Sequence, residues 1–466
     1  MVSLLQLLPP VVDQTLQRTP LTALSAIVFA LVGLGALYVT LRRPPLALGL
    51  LAFAIPFAFY RDIGSVTTLT AEKMIVLGVA IGLLIKGAPL APKSPAVRRI
   101  LLAGLLVLAA IALSATHATF ITPVVRETLK QLEYLLIFWC GANLALMYKE
   151  SGTWFEAGVV GASLLVVGVA AAQAIFGGAP SGIIVNNHAL PRVAGTLEGP
   201  NQLAGFLEVG LPVLFLSPLL MQDRLRVVRW IAIALAVAVM ILTQSRAGMA
   251  IALLVYAALW LIDRRAARAT LAPFAIGALA GLGVALWWYW GVAHDIASAL
   301  LRLVLYMWPQ DPGGVGTRNE LWQAAITLFQ RQPVFGVGAG NFELLLPTVG
   351  LNGVQTHANS LWLQTLAEQG VVGLAAFVAF TIVALREWVI GMSQSWLARA
   401  ALLATAGLLL HQVFDYLFFF PKVGLLWWLL LGVAAAHVTA LQSQTAPAHR
   451  PAPQTQALEK QADPVA

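Results

Sequence analysis

Long apolar segments separated by short polar connections recur along the whole chain. Thirteen are recognisable, at about 22–41, 45–60, 73–86, 100–116, 130–148, 154–177, 202–221, 227–243, 247–262, 269–293, 360–385, 398–418 and 422–441. They are apolar on all sides, and none alternates with a period of two, so each predicts a helix rather than a strand of a membrane barrel. Several are shorter than the ~20 residues that cross a bilayer without tilt. The pattern therefore predicts an all-α polytopic membrane protein of about 12–13 transmembrane helices, with 12 if one segment is re-entrant or interfacial.

The composition supports this class. Of 466 residues, 59% are hydrophobic and 10% are charged, whereas soluble domains carry roughly 25% charged residues. In a membrane protein a net charge of +8 reflects basic loops near anionic headgroups, so membrane lipids are expected partners and nucleic acid is not. The single cysteine, Cys140, excludes a disulfide within the chain. Because no His/Cys spacing or carboxylate cluster suits a metal ion, we predict neither a metal nor a cofactor.

Basic residues gather in alternate connections between the apolar segments. The positive-inside rule places these connections in the cytoplasm; they carry Arg42, Arg43, Lys86, Lys93, Arg98, Arg99, Lys149, Arg224, Arg226, Arg229, Arg264, Arg265, Arg268, Arg386 and Arg399. The two longest connections, at about 178–201 and 294–359, then face the extracytoplasmic side, and the second is predicted to form a small helical cap. Residues 1–441 form one transmembrane domain in this interpretation. Residues 442–466, rich in Ala, Gln and Pro, are predicted to be a disordered cytoplasmic tail.

Two arginines stand out on the extracytoplasmic side. Arg192 and Glu198 lie in a loop rich in Gly and Pro (PRVAGTLEGPNQLAGFL), where Arg192 is either paired with Glu198 or functional. Asn201 is a candidate N-cap of the next helix. Arg246 lies between two apolar segments (ILTQSRAGMAIALL), at the membrane boundary where basic residues are disfavoured. It either anchors to lipid headgroups or binds a phosphate group with its planar fork.

The long connection carries two further polar segments. Arg318 starts a short amphipathic helix (TRNELWQAAITLF), followed by the glycine-rich PVFGVGAGNF. No strand precedes these glycines, so they predict a tight turn rather than a nucleotide-binding loop. His357 begins HANSLWLQTLAEQG and precedes an apolar helix, with Asn359 and Ser360 as N-cap candidates.

One more pair of ionisable residues lies near the outer end of an apolar segment. His411 and Asp415 are four residues apart in LLLHQVFDYLFFFPK. On a continuous helix this spacing places both side chains on one face. We therefore expect them to pair with each other inside the bundle.

These segments, in this order, resemble the O-antigen ligase and O-antigen polymerase superfamily of bacterial membrane glycosyltransferases. The pieces that carry the resemblance are GTLEGPNQLAGFL, the arginine of TQSRAG, TRNELWQAAITLFQRQPVFGVGAGNF and HANSLWLQTLAEQGVVG, within about residues 190–440. The resemblance implies an inner-membrane enzyme that moves a glycan from undecaprenyl diphosphate to an acceptor on the periplasmic side, without a metal. The acceptor is lipid A-core for a ligase, a glycan chain for a polymerase, and Ser or Thr for a protein O-oligosaccharyltransferase.

Site residues follow from this chemistry. The departing diphosphate needs cationic partners, which predicts Arg192 and Arg246 as its ligands, with Arg318 helping to place donor or acceptor. His357 is predicted to be the general base that deprotonates the acceptor hydroxyl. No convincing carboxylate nucleophile lies nearby, which favours direct, inverting attack. A transporter of lipid-linked glycans is the alternative from another class, but such proteins place ionisable groups near the midplane.

Overall fold

The computed structural model describes residues 22–57, 60–63, 67–179, 181–185, 188–293 and 317–445. The part of the long connection at 294–316 and the part of the predicted tail at 446–466 lie outside the described residues.

Fifteen α-helices are present in the described ranges. They are α1 Ala23–Arg42, α2 Pro44–Ala54, α3 Ala71–Ile85, α4 Pro95–Leu113, α5 Ile121–Met147, α6 Ser151–Phe176, α7 Pro200–Leu216, α8 Arg226–Leu242, α9 Arg246–Ile262, α10 Arg264–Ala293, α11 Arg318–Arg331, α12 Phe342–Leu345, α13 Leu361–Gly391, α14 Trp396–His411 and α15 Pro421–Thr445. Two antiparallel hairpins interrupt them, β1 Tyr60–Ile63 with β2 Thr67–Thr70, and β3 Ser181–Val185 with β4 His188–Arg192.

The predicted all-α polytopic class is confirmed. Each of the thirteen apolar segments contains a helix, and in the described residues seven helices are long and apolar enough to cross a membrane. Three further apolar helices, α2, α9 and α14, are shorter. The total of 12–13 crossings stays a prediction. The two hairpins were not predicted, and α15 continues to Thr445, past the predicted end of the domain at residue 441.

Helix α7 lies at the centre of the bundle. All its residues from Gln202 to Leu216 are buried, and it packs against α14, α8 and α15. A helix that is apolar all round belongs in such a position. Glu208, halfway along it, must find its polar partner inside the protein, since no water is available there.

The described part of the long connection forms a small helical cap, as predicted. Thr317 and Glu320 form a capping box that starts α11. Leu321 and Leu328 of α11 pack with Phe342 and Leu346 in a hydrophobic cluster separate from the main core. The cap therefore has its own small hydrophobic core.

The glycine-rich turn attaches the cap to a break in α13. Gly370 has a φ of +64°, and the amides of Val371 and Val372 beyond the break donate to the carbonyls of Pro333 (2.9 Å) and Val334 (3.2 Å). A Cβ at Gly370 would lie 2.3 Å from the Val334 carbonyl oxygen, so only glycine fits this approach. The glycine-rich segment thus forms the predicted tight turn, which packs on the backbone of α13.

Candidate functional site

Arg192 ends β4 and is connected to the turn between α8 and α9. Its Nε donates to the carbonyl of Thr243 at 2.9 Å, and the Nε2 of Gln244 donates to the carbonyl of Pro191 at 2.9 Å. Glu198, which the sequence offered as one possible partner of Arg192, has a different partner in the structure. Glu198 forms an ion pair with Lys422 (3.0 Å). Its predicted supporting role at the site stays a prediction.

Arg246 belongs to the same corner of the molecule. It is the first residue of α9, directly after the N-cap Ser245, whose hydroxyl accepts from the amide of Gly248 at 3.3 Å. Thr243, which binds Arg192, is three residues earlier in the chain. Arg192, one of the two arginines that the sequence analysis assigned to the diphosphate, therefore binds the backbone three residues before the other, Arg246. The positive end of the α9 dipole adds to their charge.

Asn201 connects Arg192 to a carboxylate. Its Oδ1 accepts from Nη2 of Arg192 at 2.9 Å, and its Nδ2 donates to Oδ2 of Asp415 at 2.5 Å. The predicted N-cap role is wrong, because Gly199 is the N-cap and Pro200 is the first helical residue. Proline is favoured at that position since it has no N–H to satisfy. The Asn201 side chain is thereby left to bridge Arg192 and Asp415.

His357 approaches the other oxygen of the same carboxylate. Its Nε2 lies 4.0 Å from Oδ1 of Asp415, and the His357 and Asp415 side chains are 14% and 3% exposed. The ring is flanked by Tyr416 and Phe419, with centroid distances of 5.9 and 5.3 Å. Arg192, Asn201, Asp415 and His357 thus form one continuous polar network.

The backbone around Asn359 sets the orientation of the imidazole. Ser360, not Asn359, caps α13. Asn359 has a φ of +49°, a left-handed conformation that asparagine tolerates better than most residues. Its amide donates to Nδ1 of His357 at 3.2 Å. Since Nδ1 accepts, the neutral ring carries its proton on Nε2, facing Asp415.

The surroundings of His357 keep it neutral. Burial lowers its pKa from the ordinary value of 6.5, Asp415 raises the pKa, and Arg318 lowers it. Arg318 is an exposed residue at the start of α11. Its influence on His357 places the third predicted arginine within electrostatic range of the site.

Asp415 is the functional candidate that sequence reasoning missed. It was expected to pair with His411, but His411 Nδ1 lies 2.6 Å from Oε1 of Glu208 instead. Helix α14 ends at His411, and the chain turns there, with Phe414 N donating to the His411 carbonyl (2.9 Å). The spacing of four therefore does not place both side chains on one helix face. The sequence signal that could have identified Asp415 is a carboxylate beside an apolar segment, because such a carboxylate needs a polar or charged partner.

The pH dependence of transfer tests the charges around His357. A general base must be neutral, so activity rises with pH through its pKa, and the lowered pKa places this rise below pH 6.5. In Asp415→Asn the carboxylate that raises the pKa of His357 is lost, so the rise in activity should move to lower pH. In Arg318→Gln the charge that lowers the pKa of His357 is lost, so the rise in activity should move to higher pH. kcat/KM measured from pH 4 to 9 would show both, with Arg331→Gln at the other end of α11 as the unshifted control; shifts in one common direction would contradict this arrangement.

A small cavity borders this network. Tyr416, which contacts His357, lines it together with Gln131, Tyr134 and Thr365. Its volume is about 50 Å³. This is enough for a few water molecules but far below the ~300–1,000 Å³ of ligand pockets. Among the residues that the structure describes, Gln131 Nε2 and Tyr134 Oη have no hydrogen-bond partner. The cavity is therefore suited to water rather than to a sugar.

A known family matches the segment of the chain that carries three of the predicted site residues. None of the curated proteins matches the chain. The family described as O-antigen ligase matches residues 231–378, a segment that contains Arg246, Arg318 and His357. The matched segment excludes Arg192 and Asp415, which the tertiary structure brings to it. Over residues 231–378 the chain is thus similar to the O-antigen ligase family.

Proposed function

We propose that this protein transfers a glycan from undecaprenyl diphosphate to a sugar hydroxyl of lipid A-core, on the periplasmic face of a bacterial inner membrane. The observation that carries the proposal is the network joining Arg192, Asn201, Asp415 and His357, with Arg246 beside it. It combines a cationic site for a diphosphate with an imidazole of lowered pKa. The family match supports glycan transfer of the ligase or polymerase type.

The cationic corner suits the donor diphosphate. Breaking a glycosyl–diphosphate bond places negative charge on the leaving group, and pre-positioned cations stabilise that charge without reorganisation. Arg192 and Arg246 supply two guanidinium groups, and the N-terminus of α9 supplies backbone amides. Arg318, on the cap, is placed to guide donor or acceptor. In this proposal these side chains carry the charge that a metal ion carries in other glycosyltransferases.

His357 acts on the acceptor through Nδ1. The bond from the Asn359 amide is at the long end of the hydrogen-bond range, so an acceptor hydroxyl can take its place. The hydroxyl proton passes to Nδ1 while the oxygen attacks the anomeric carbon. The bond from that carbon to the diphosphate oxygen breaks, and its electron pair leaves with the diphosphate. Nε2–H then points at Asp415, which stabilises the imidazolium much as a carboxylate does in a catalytic triad.

Direct attack of this kind inverts the anomeric centre. Asp415 is held by Asn201 and faces His357, so it is engaged as an orienting group rather than as a nucleophile. Product stereochemistry, read by NMR coupling constants of the new linkage, reports on this step. Retention of configuration would exclude it.

The positions of the polar groups along the chain support the proposed periplasmic side. Arg192, Arg246, His357 and Asp415 all lie in connections that alternate with the basic cytoplasmic ones along the chain. They gather at helix ends rather than midway through the bundle, an arrangement that favours surface chemistry over transit of a glycan.

A reconstituted assay separates the candidate activities. The purified protein is incubated with undecaprenyl-diphosphate-linked repeat units, with and without lipid A-core, and the products are resolved by gel and mass spectrometry. A product that requires lipid A-core and carries one transferred glycan is expected. A ladder of longer lipid-linked glycans in the absence of lipid A-core would instead assign a repeat-unit polymerase, and modification of a protein acceptor would assign an oligosaccharyltransferase.

A further inference from the structure

A fully buried acid–histidine pair lies beneath the proposed site. Nδ1 of His411 at the end of α14 is 2.6 Å from Oε1 of Glu208 in the middle of α7, and the two side chains are 1% and 0% exposed. Burying such a pair costs several kcal/mol per ion in desolvation, and apolar replacements are often neutral or stabilising. Oε2 of Glu208 also has no hydrogen-bond partner in the described residues. Stability alone therefore does not account for this pair.

The pair is the second of two connections between the same elements. Asn201 and Glu208 are seven residues apart on α7, which is about two turns and places them on one face. Asn201 binds Asp415 at 2.5 Å, and Glu208 binds His411 four residues before Asp415. The chain from His411 to Asp415 is thus held to α7 at both of its ends.

This short segment also holds the start of α13. The amide of Leu361 donates to the carbonyls of Gln412 (2.9 Å) and Asp415 (3.0 Å). His357 lies four residues before Leu361 in the chain. The position of the α14 end consequently sets both Asp415 and the backbone that carries His357.

We propose that Glu208 and His411 are a positioning pair. Their hydrogen bond keeps Asp415 and His357 correctly placed relative to each other for the glycan transfer proposed above. Neither residue touches the reacting groups. Ionisable groups at this depth can also mark a transport path, but the nearly complete burial of both side chains leaves no route to them. The pair acts by fixing the α14 end against α7.

The pair Glu208→Leu/His411→Leu tests this role, because it removes the hydrogen bond and leaves no unpaired buried group. We expect kcat to fall by about tenfold or more, as misplacement of a catalytic group by an ångström does. We expect the KM for the lipid-linked donor and the thermal midpoint to stay close to wild type. His437→Leu is the matched control: this histidine binds Ser395 (2.7 Å) at the other end of α14, and its loss should leave kcat unchanged. Wild-type kcat in the double variant would refute the positioning role.

Two further measurements cover other outcomes. If the double variant does not fold, Glu208→Gln, which keeps an acceptor for His411, is compared with Glu208→Met, which has similar length and no acceptor. A higher kcat for the glutamine variant at equal folded amounts is expected, and equal values would overturn the inference. Hydrogen–deuterium exchange of residues 412–420, measured without substrate, should be faster in the methionine variant than in the glutamine variant. Equal exchange rates in the two variants would refute the inference. This readout does not need glycan transfer, so a wild-type protein without transfer activity would contradict only the proposed function.

Discussion

Replacing His357 by alanine is expected to lower the transfer rate by about 10²–10⁴-fold, the range for loss of a general base. The reason is chemical: the imidazole beside Asp415 is the group proposed to take the proton of the acceptor hydroxyl, and alanine cannot replace it. Because His357 lies in a loop rather than in the main core, the variant should fold. The measurement is kcat for transfer to lipid A-core in detergent or liposomes, with donor binding measured separately and expected to be retained.

His117→Ala is a matched control for this variant. His117 also lies between two apolar helices on the predicted outer side, is exposed, and stacks on Phe335 with a centroid distance of 6.0 Å. Its removal should leave transfer within about twofold, as for most surface substitutions away from special features. Full activity in His357→Ala would contradict the assignment of the base, and an equal loss in both variants would indicate a general effect on the outer surface.

Arg246→Lys should have the second largest effect. Lysine keeps the positive charge but lacks the planar fork that binds two phosphate oxygens at once. If the guanidinium stabilises the departing diphosphate, its loss should lower kcat by roughly 10²–10³-fold, as the loss of one oxyanion-hole donor does. The effect should appear in both kcat and kcat/KM, because the charge develops in the transition state.

The comparison variant is Arg264→Lys. Arg264 also starts a membrane helix, α10, but it is exposed on the predicted cytoplasmic side. Its substitution should leave transfer unchanged. Wild-type turnover in Arg246→Lys would show that this arginine only anchors the protein to lipid headgroups.

The arginines show how far sequence reasoning reaches. Arg246 was singled out because a basic residue at the outer membrane boundary opposes the positive-inside bias, and this needed no tertiary information. Its proximity to Arg192 did not follow from the sequence, because it depends on the hydrogen bond from Arg192 to the Thr243 carbonyl. Glu198, a possible partner considered from the sequence, is closer in the chain but binds Lys422. Charge and spacing alone do not choose between two possible partners.

The expected pairing of His411 with Asp415 failed for a related reason. A spacing of four implies contact only on an unbroken helix, and α14 ends at His411. The two residues therefore point to different partners, Glu208 and Asn201. Both partners lie on α7, more than two hundred residues earlier in the chain. Helix ends are among the least certain features of a sequence-based prediction, and this site depends on one of them.

The sequence by itself determined the class of the protein and the approximate positions of its apolar helices, and it supplied the residues that we propose for the chemistry. Hydrophobicity and charge bias are local properties of the chain, and a membrane enforces them strongly. The tertiary structure alone decided that Asp415 joins Asn201 to His357, and that Glu208 holds the end of α14. Such contacts arise from packing between distant helices, which no local pattern encodes. The histidine was visible in the sequence, whereas its carboxylate partner became visible only when the helices were packed.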